Sequence, residues 1–505
     1  MTGIARWLSG RAERQRFGLA LVAGGLAATG LAPFDLPFLS LIGFAGLALS
    51  LMPVGTARSA FWTGLAGGTG YFAVSLHWIV EPFFVDPWRH GWMAPFALIL
   101  MSAGLALFWG AAAALAVRVT QPGGLRALAW PLALSAAELL RASILTGFPW
   151  AHPGHIWIGS PLMGLAAWVG PHGLTLLTLI LAAGVAAAIW SRPVLVALPG
   201  VAVAGALGLG MMIPPAPPAD ENAAVIRLIQ PNAPQHLKWL PEMIPVFFRR
   251  SLELTAADPQ LDAPPDLVIW PETSLPALLR NSEPWREAIG QASGAARVIV
   301  GGQRLQDGMV RNSLFLLDRD GGLAAAYDKH HLVPFGEYIP LTGMARAMGL
   351  RGLAEVAGAG YTPGGGPALL DLGPLGQAFP MICYETIFPG YVRQVDRPGW
   401  LLQITNDAWF GEFSGPFQHL ELAQLRAAEQ GLPLLRAANT GVSAVIDARG
   451  QVLAALPLGE HGALDLRMPP PLPATVYART GDWPILVLLL GLSCGVMLAK
   501  RRQRH

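Results

Sequence analysis

The stretch Gln377–Gly390, QAFPMICYETIFPG, holds one of only two cysteines in a chain of 505 residues. An apolar run of strand character leads into Cys383, and Tyr384 and Glu385 follow at once. A thiol in that position is either inert core filling or a nucleophile at the carboxyl end of a strand. In open α/β sheets, sites gather at such ends because the loops there converge. The fold therefore turns on whether other runs of this kind also end in polar residues.

They do. Beyond the proline-rich segment IPPAPPADEN, Ile213–Asn222, short apolar runs alternate with helix-like stretches. AVIRLIQP, DLVIWPE, ARVIVGGQ, NSLFLLD, ALLDLG, AFPMICYE, WLLQITND and VSAVID read as strands of a core sheet. EMIPVFFRRSLELTA, EPWREAIGQASG and QHLELAQLRAAEQ read as helices between them. This predicts an α/β domain over 223–470, joined through the linker 214–222 to whatever precedes it. Glu272 closes the DLVIWPE run, Asn406 and Asp407 close LLQIT, and Lys329 lies in AYDKHHLVPFGEYIP.

The first 213 residues have a different character. Apolar residues make up 53% of the whole chain and charged ones 13%, against roughly 25% charged in ordinary soluble proteins. Runs near 17–32, 38–53, 59–80, 92–117, 125–140, 161–190 and 193–213 approach the ~20 residues that cross a bilayer, and WPILVLLLGLSCGVMLA closes the chain as an eighth. Basic residues cluster before the first run and after the last, and Arg58, Arg118, Arg126 and Arg192 fall in every second loop. The positive-inside rule then predicts about eight spans, both termini cytoplasmic, and the α/β domain outside. The first run reads as a span, since a cleaved leader would break that alternation. Residues 471–505 form the last span and a basic tail. Tryptophans 78, 88, 92, 150, 190 and 483 fall near run ends, where the interface suits indoles. A net charge of +2 argues against a nucleic-acid partner.

Chemistry selects among the polar strand ends. A free thiol has a pKa near ~8.5 and attacks as thiolate, so Cys383 needs a base and a nearby cation. Glu272 can take the proton if burial raises its own pKa. Lys329 can stabilise both the thiolate and the oxyanion formed by attack on a carbonyl, with the Tyr384 backbone N–H as a second donor. His330 and His331 offer a Cys–His alternative. No HExxH or cysteine-rich spacing accompanies them, so neither a metal nor another cofactor is expected.

WPET with Glu272, YDKHHLVPFGEYIP with Lys329 and CYE with Cys383 resemble the Glu-Lys-Cys triad of the carbon–nitrogen hydrolase (nitrilase) superfamily. QPNAPQHLKW, TNDAWFG and LLRAANTGVSAVID also fit, and with spans on both sides the whole chain resembles the superfamily's membrane-bound acyltransferases. The resemblance implies an αββα sandwich domain. It implies supporting or substrate-binding roles for Trp239, Glu337, Tyr384 and Glu385. Asn406 and Asp407 read from their residue types as loop-ordering hydrogen-bonders rather than catalysts. The resemblance also implies two half-reactions: Cys383 takes a fatty acyl chain from a phospholipid as a thioester, and the α-amine of a diacylglyceryl-cysteine on an apolipoprotein then takes it from sulfur. The expected partners are phospholipid, diacylated apolipoprotein and membrane lipid, the expected location a bacterial inner membrane with the catalytic domain periplasmic, and the expected state a monomer. A membrane-tethered amidase would use the same triad. A transporter with a ligand-binding outer domain is remoter, because Glu138 and His77 are sparse ionisable groups for a relay. Leu341–Gly366, small-residue-rich with two arginines, is either a lipid-contacting arm beside the site or an ordinary surface loop.

Overall fold

The computed structural model describes residues 2–121, 124–191, 197–340 and 360–502. The chain forms two compact units: Met1–Pro214 with Phe413–Glu421 and Ala474–His505, and Pro215–Glu412 with Leu422–Pro473.

The first unit is helical. Pro87–Val119, Pro161–Ser191 and Trp483–Arg501 are long and apolar enough to cross a bilayer, while Pro37–Leu51 and Leu198–Met211 are apolar but shorter. Length and composition thus support three spans among the described residues, where the hydropathy pattern predicts about eight. Run 17–32 becomes part of a 16-residue helix, Glu13–Ala28, and run 38–53 a 15-residue one. Run 59–80 stops as helix at Ser75 and continues as a 3-10 turn containing Pro82. Ala166–Ser191 is broken at Gly170, whose φ of 64° precedes Pro171. Helices Glu13–Ala28 and Ala57–Ser75 meet backbone to backbone: a Cβ on Gly70 would lie 2.9 Å from the carbonyl carbon of Leu21.

Two tryptophans expected at the interface are interior. Trp78 and Trp150 are buried with rings 4.6 Å apart, and the Trp150 indole N–H donates to Gln418 Oε1 at 2.8 Å, which makes its burial tolerable. Trp88, Trp92 and Trp483 are exposed. Glu138 is fully buried between Arg141 at 2.5 Å and His152 at 2.7 Å, with the Trp109 indole N–H donating at 2.9 Å. A carboxylate so fully paired has a structural role in holding the helices together.

The second unit is an α/β domain with twelve strands among the described residues: β1 (Val225–Gln230), β2 (Leu267–Ile269), β3 (Arg297–Gln306), β4 (Met309–Leu317), β5 (Leu323–Asp328), β6 (Leu370–Asp371), β7 (Gln377–Ile382), β8 (Trp400–Thr405), β9 (Leu434–Ala438), β10 (Ser443–Ile446), β11 (Val452–Leu456) and β12 (Gly462–Arg467). They make two six-stranded sheets, ordered β12-β1-β2-β3-β4-β5 and β11-β10-β9-β8-β7-β6. The strand runs read as a core sheet thus form two sheets, in keeping with the αββα sandwich that the resemblance implies.

Period-2 alternation explains the layering. Leu314 and Leu316 of β4 and Ile299 of β3 share one core with Ile382, Leu402, Ile404 and Leu435 of the other sheet. Phe315, Leu317, Val298 and Val300, one position out of step, join a second core with Phe248 and Ile289 from helices Ile244–Ala256 and Glu283–Ser293. β1, β2 and β3 run parallel, and so do β7, β8 and β9. Because β4 reverses direction and β5 reverses it again, β5 ends on the same side as β2.

Candidate active site

That arrangement delivers Glu272, Lys329 and Cys383 together. Glu272 lies three residues past the end of β2, Lys329 directly follows β5, and Cys383 directly follows β7. Each is buried. Lys329 Nζ lies 2.9 Å from Glu337 Oε1 and 3.7 Å from Glu272 Oε1. The thiol interacts electrostatically with both Glu272 and Lys329 and forms a side-chain hydrogen bond with Thr405 at the end of β8.

The backbone is strained at two of these candidates. Cys383 has φ +52° and opens a 3-10 turn, Cys383–Ile387, that swings the chain sharply off β7. Thr273, directly after Glu272, has φ +50° although it is β-branched. Such conformations cost about 1–3 kcal/mol each and persist where the surroundings over-determine them.

Hydrogen bonds supply that over-determination. Glu272 Oε1 accepts from Asn312 Nδ2 at 2.7 Å, and Oε2 accepts from the Asn406 backbone N–H at 2.9 Å. Asn312 Nδ2 also donates to Glu337 Oε1 at 3.2 Å, and the Asn312 backbone carbonyl accepts from the Lys329 backbone N–H at 2.9 Å. Glu337 Oε2 accepts from the Val333 N–H at 2.8 Å, closing the loop after the lysine. Glu385, fully buried, accepts from the backbone N–H groups of Ile382 (2.8 Å), His330 (2.8 Å) and His331 (3.2 Å) and from the Tyr327 hydroxyl (3.1 Å). One carboxylate therefore ties the cysteine's turn to the lysine's loop.

Charge follows from this burial. Desolvation pushes the Cys383 thiol far above its ordinary value, and the negative charge of Glu272 adds to the effect while Lys329 opposes it. Burial likewise raises the Glu272 carboxyl, against the pull of Lys329. Burial alone would lower Lys329, but Glu337 and then Glu272 hold it well above the ordinary lysine range. The lysine is therefore held as a cation, while burial disfavours the ionised form of both the thiol and Glu272. Burial opposes ionisation of Glu385, yet its bonds from His330 and Ile382 keep it below the usual carboxylate range.

The other candidates separate. Tyr384 is buried beside Phe388, and the ring of Phe388 lies 4.0 Å from that of His331. His331 is pulled down to about 4 by burial and by the charge of His330. Its Nδ1 meets the Tyr391 hydroxyl, and His330 Nδ1 lies 2.6 Å from Glu385, so both imidazoles serve the lysine loop's own network. Trp239 is 43% exposed, with the Lys238 ammonium 5.6 Å from the centroid of its ring. That ammonium donates to Thr273 Oγ1 at 3.0 Å and to the Glu272 carbonyl at 3.3 Å. Asp407 is buried and paired with Arg436, accepting also from Thr405 Oγ1 at 2.8 Å, which suits a loop-ordering role. Of the stretch Leu341–Gly366, residues 341–359 lie outside the described residues. Its end is fixed: Tyr361 N–H donates to the Glu337 carbonyl and Gly364 N–H to the Lys329 carbonyl.

Sequence reasoning missed Asn312, Lys238 and Tyr327. Asn312 shares a strand face with Leu314 and Leu316, so a polar residue in register with inward apolar ones was the available signal. Among the described residues no group of three or more His, Cys, Asp or Glu side chains could hold a metal ion.

The comparisons with known proteins agree across both units. The family described as apolipoprotein N-acyltransferase N-terminal domain matches residues 23–184, and carbon-nitrogen hydrolase matches 248–470. The chain is 40% identical to an apolipoprotein N-acyltransferase of Caulobacter vibrioides, over 96% of this chain and 94% of that one. It is 37% identical to the enzyme of that name from Rhodopseudomonas palustris, over 96% and 95%. Among solved structures it is similar to an amidase from a Nesterenkonia species at 19% identity and TM-score 0.38, covering 54% of this chain and 98% of that one.

Proposed function

Because the chain belongs to the apolipoprotein N-acyltransferase family, we propose that Cys383 is the residue through which it passes a fatty acyl chain to lipoproteins. The observation that carries this reading is the shared burial of Cys383, Glu272 and Lys329 beyond the ends of β7, β2 and β5, their charges interacting, with the thiol on a strained turn.

In the first half-reaction Glu272 takes the thiol proton, and the thiolate attacks an ester carbonyl of a phospholipid. The negative charge passes from carboxylate to sulfur to the tetrahedral oxygen. Lys329 and the Tyr384 N–H stabilise that oxygen; losing one such donor typically costs about 3 kcal/mol. Collapse breaks the ester C–O bond, and Glu272 returns its proton to the departing lysophospholipid alkoxide. In the second half-reaction the α-amine of a diacylglyceryl-cysteine attacks the thioester, Glu272 accepts a proton from nitrogen, the C–S bond breaks, and Glu272 passes that proton to the departing thiolate, which restores both groups. Ping-pong kinetics follow. The apolar lining that raises the thiol also restricts water, which would otherwise hydrolyse the thioester. Glu337 holds the lysine, and Glu385 holds the cysteine's turn against the lysine's loop.

Phospholipid and diacylated apolipoprotein are the substrates in this reading. The protein sits as a monomer in a bacterial inner membrane with about eight spans, 1–213 carrying seven of them and 471–505 the last, both ends cytoplasmic and 223–470 periplasmic. Anchoring at the membrane raises the effective concentration of lipid donor.

Intact-mass measurement tests it. Incubation with phospholipid alone is expected to add one fatty acyl mass to the wild type and none to Cys383→Ala. Adding a diacylated cysteinyl peptide is then expected to discharge the enzyme and acylate the peptide amine. An acyl adduct that survives in Cys383→Ala refutes the assignment, and discharge to water in the presence of the peptide would return the amidase reading.

A further inference from the structure

The catalytic glutamate is gripped from one short helix, Gln235–Lys238. At its start Gln235 Oε1 accepts from Asn406 Nδ2 at 2.8 Å, and the Asn406 backbone N–H donates to Glu272 Oε2 at 2.9 Å. At its end the buried Lys238 ammonium donates to Thr273 Oγ1 at 3.0 Å and to the Glu272 carbonyl at 3.3 Å. One helix thus fixes the carboxylate through an asparagine and the backbone directly. The directly held peptide is the one that enters the left-handed residue Thr273.

Burying an ammonium is costly unless its charge is used. A neutral donor would satisfy the same two acceptors, so hydrogen bonding alone does not call for a lysine here. We propose that Lys238 is a positioning residue for the acyl transfer: its ammonium pins the strained Glu272–Thr273 turn and places a second positive charge beside the base. Lys329 and Lys238 then balance the charges of Glu272 and Glu337.

Among the described residues the charged groups facing Glu272 are Lys329, Glu337 and Lys238, with the Cys383 thiol and the Tyr361 hydroxyl as further titratable groups and Asn312 as a neutral donor; Glu272 is the charge that faces Lys238. Burial lowers Lys238 to about 8, and Glu272 works against that decrease. Removing a positive charge near Glu272 makes its carboxylate harder to form. The acidic limb of the rate profile, where Glu272 must be ionised to accept the thiol proton, therefore moves to higher pH when Lys238 is neutralised.

This inference rests on the thioester reading and is tested so that the two fail separately. The full chain in detergent is incubated with phospholipid micelles from pH 5 to 9, and acyl-enzyme formation is timed by intact mass. Lys238→Met is expected to slow the step by roughly 10–100-fold, as for a loosened base, and to shift the acidic limb upward by about half a pH unit or more. Lys238→Gln, which keeps donors for the two oxygens and so protects the fold, is expected to show the same shift with a smaller rate loss. Lys238→Arg is expected to return the limb to its wild-type position. A limb unmoved in Lys238→Gln overturns the proposal whatever the rate, because a purely structural lysine would lower the amplitude alone. A wild type that forms no adduct on Cys383 strikes instead at the thioester itself.

Discussion

Gly301 of β3 offers a sharp test of how far the site depends on backbone placement. Its N–H donates to the Pro271 carbonyl at 3.2 Å, and its own carbonyl accepts from Ser274 and Leu275 at 2.8 and 2.9 Å, so it is stitched to both sides of the Glu272 turn. A Cβ there would lie 2.6 Å from Glu272 Cα, 2.6 Å from the Pro271 oxygen and 2.7 Å from the Thr273 nitrogen. All three are backbone atoms, and none can swing aside. Ordinary contact begins at 3.4 Å, so Gly301→Ala must displace the turn by roughly 0.8 Å (3.4 − 2.6). Misplacing a reacting group by about 1 Å can cost ~10²-fold in rate, which is ~2.7 kcal/mol at 1.36 kcal/mol per decade. Overpacking adds about 1–3 kcal/mol of lost stability. Gly302→Ala is the control, since its Cβ would meet the Phe315 and Leu275 side chains at 2.8 and 3.0 Å rather than the Glu272 backbone. Acyl-enzyme formation per folded molecule, with thermal unfolding measured in parallel, is expected to fall ~10²-fold in Gly301→Ala and by less than threefold in Gly302→Ala. Equal rates for the two variants would refute the claim that Glu272 is held by its backbone contact with β3.

Glu337→Gln removes a negative charge that raises Glu272, so the acidic limb of acyl-enzyme formation is expected to move to lower pH, opposite in sign to neutralising Lys238; the pH dependence of single-turnover mass shifts reads it directly. His331→Asn is expected to keep acyl-enzyme formation within about threefold of wild type above pH 6, because an imidazole pulled down to about 4 is already neutral there; a large loss with an unchanged melting point would revive the Cys–His mechanism. Asp465→Asn strands Arg227, whose guanidinium is buried and reaches Asp465 through two 2.7 Å bonds, and is expected to cost about 3–5 kcal/mol in unfolding measurements while leaving the rate per folded molecule unchanged.

The pattern of strands was legible wherever branched and aromatic residues marked it, and less so where neighbours impose the conformation. NSLFLL and VIRLIQ announce β4 and β1 by composition, whereas LAAAYD of β5 and GALDLR of β12 carry weak strand signals. β12 is extended because it pairs along all six residues of β1, and β5 because it pairs with β4. Of the three candidate groups, Glu272 and Cys383 were legible because each follows an apolar run, whereas Lys329 was singled out by the resemblance of YDKHHLVPFGEYIP. Their supports were harder to see: Lys238 precedes the more conspicuous Trp239, and nothing in a linear pattern says that an ammonium bonds a carbonyl 34 residues away. Among the described residues three helices are long and apolar enough to cross a bilayer, while hydropathy predicts about eight spans. Hydropathy sees apolar length, while glycine and proline cut that length into helices of 15 or 16 residues.

On the role proposed for Cys383, the same burial that raises its thiol also explains how a nucleophile would rest there unreacted. Counting Lys329 and Lys238 against Glu272 and Glu337, with the thiol protonated, the resting cluster carries no net charge. Moving the proton from sulfur to Glu272 leaves that sum unchanged, as does passing the negative charge on to an oxyanion. Each step relocates one charge within reach of the same lysine and never places an additional one in a poorly hydrated site. Desolvation, which alone would make the thiolate inaccessible, therefore penalises the resting carboxylate as well as the thiolate, and the difference between them is what the proton transfer has to overcome. A site of this type gains rate by equalising its two acids. Residues such as Asn312, which favours the carboxylate by hydrogen bonding to it, then set the balance between a quiet thiol and a reactive one.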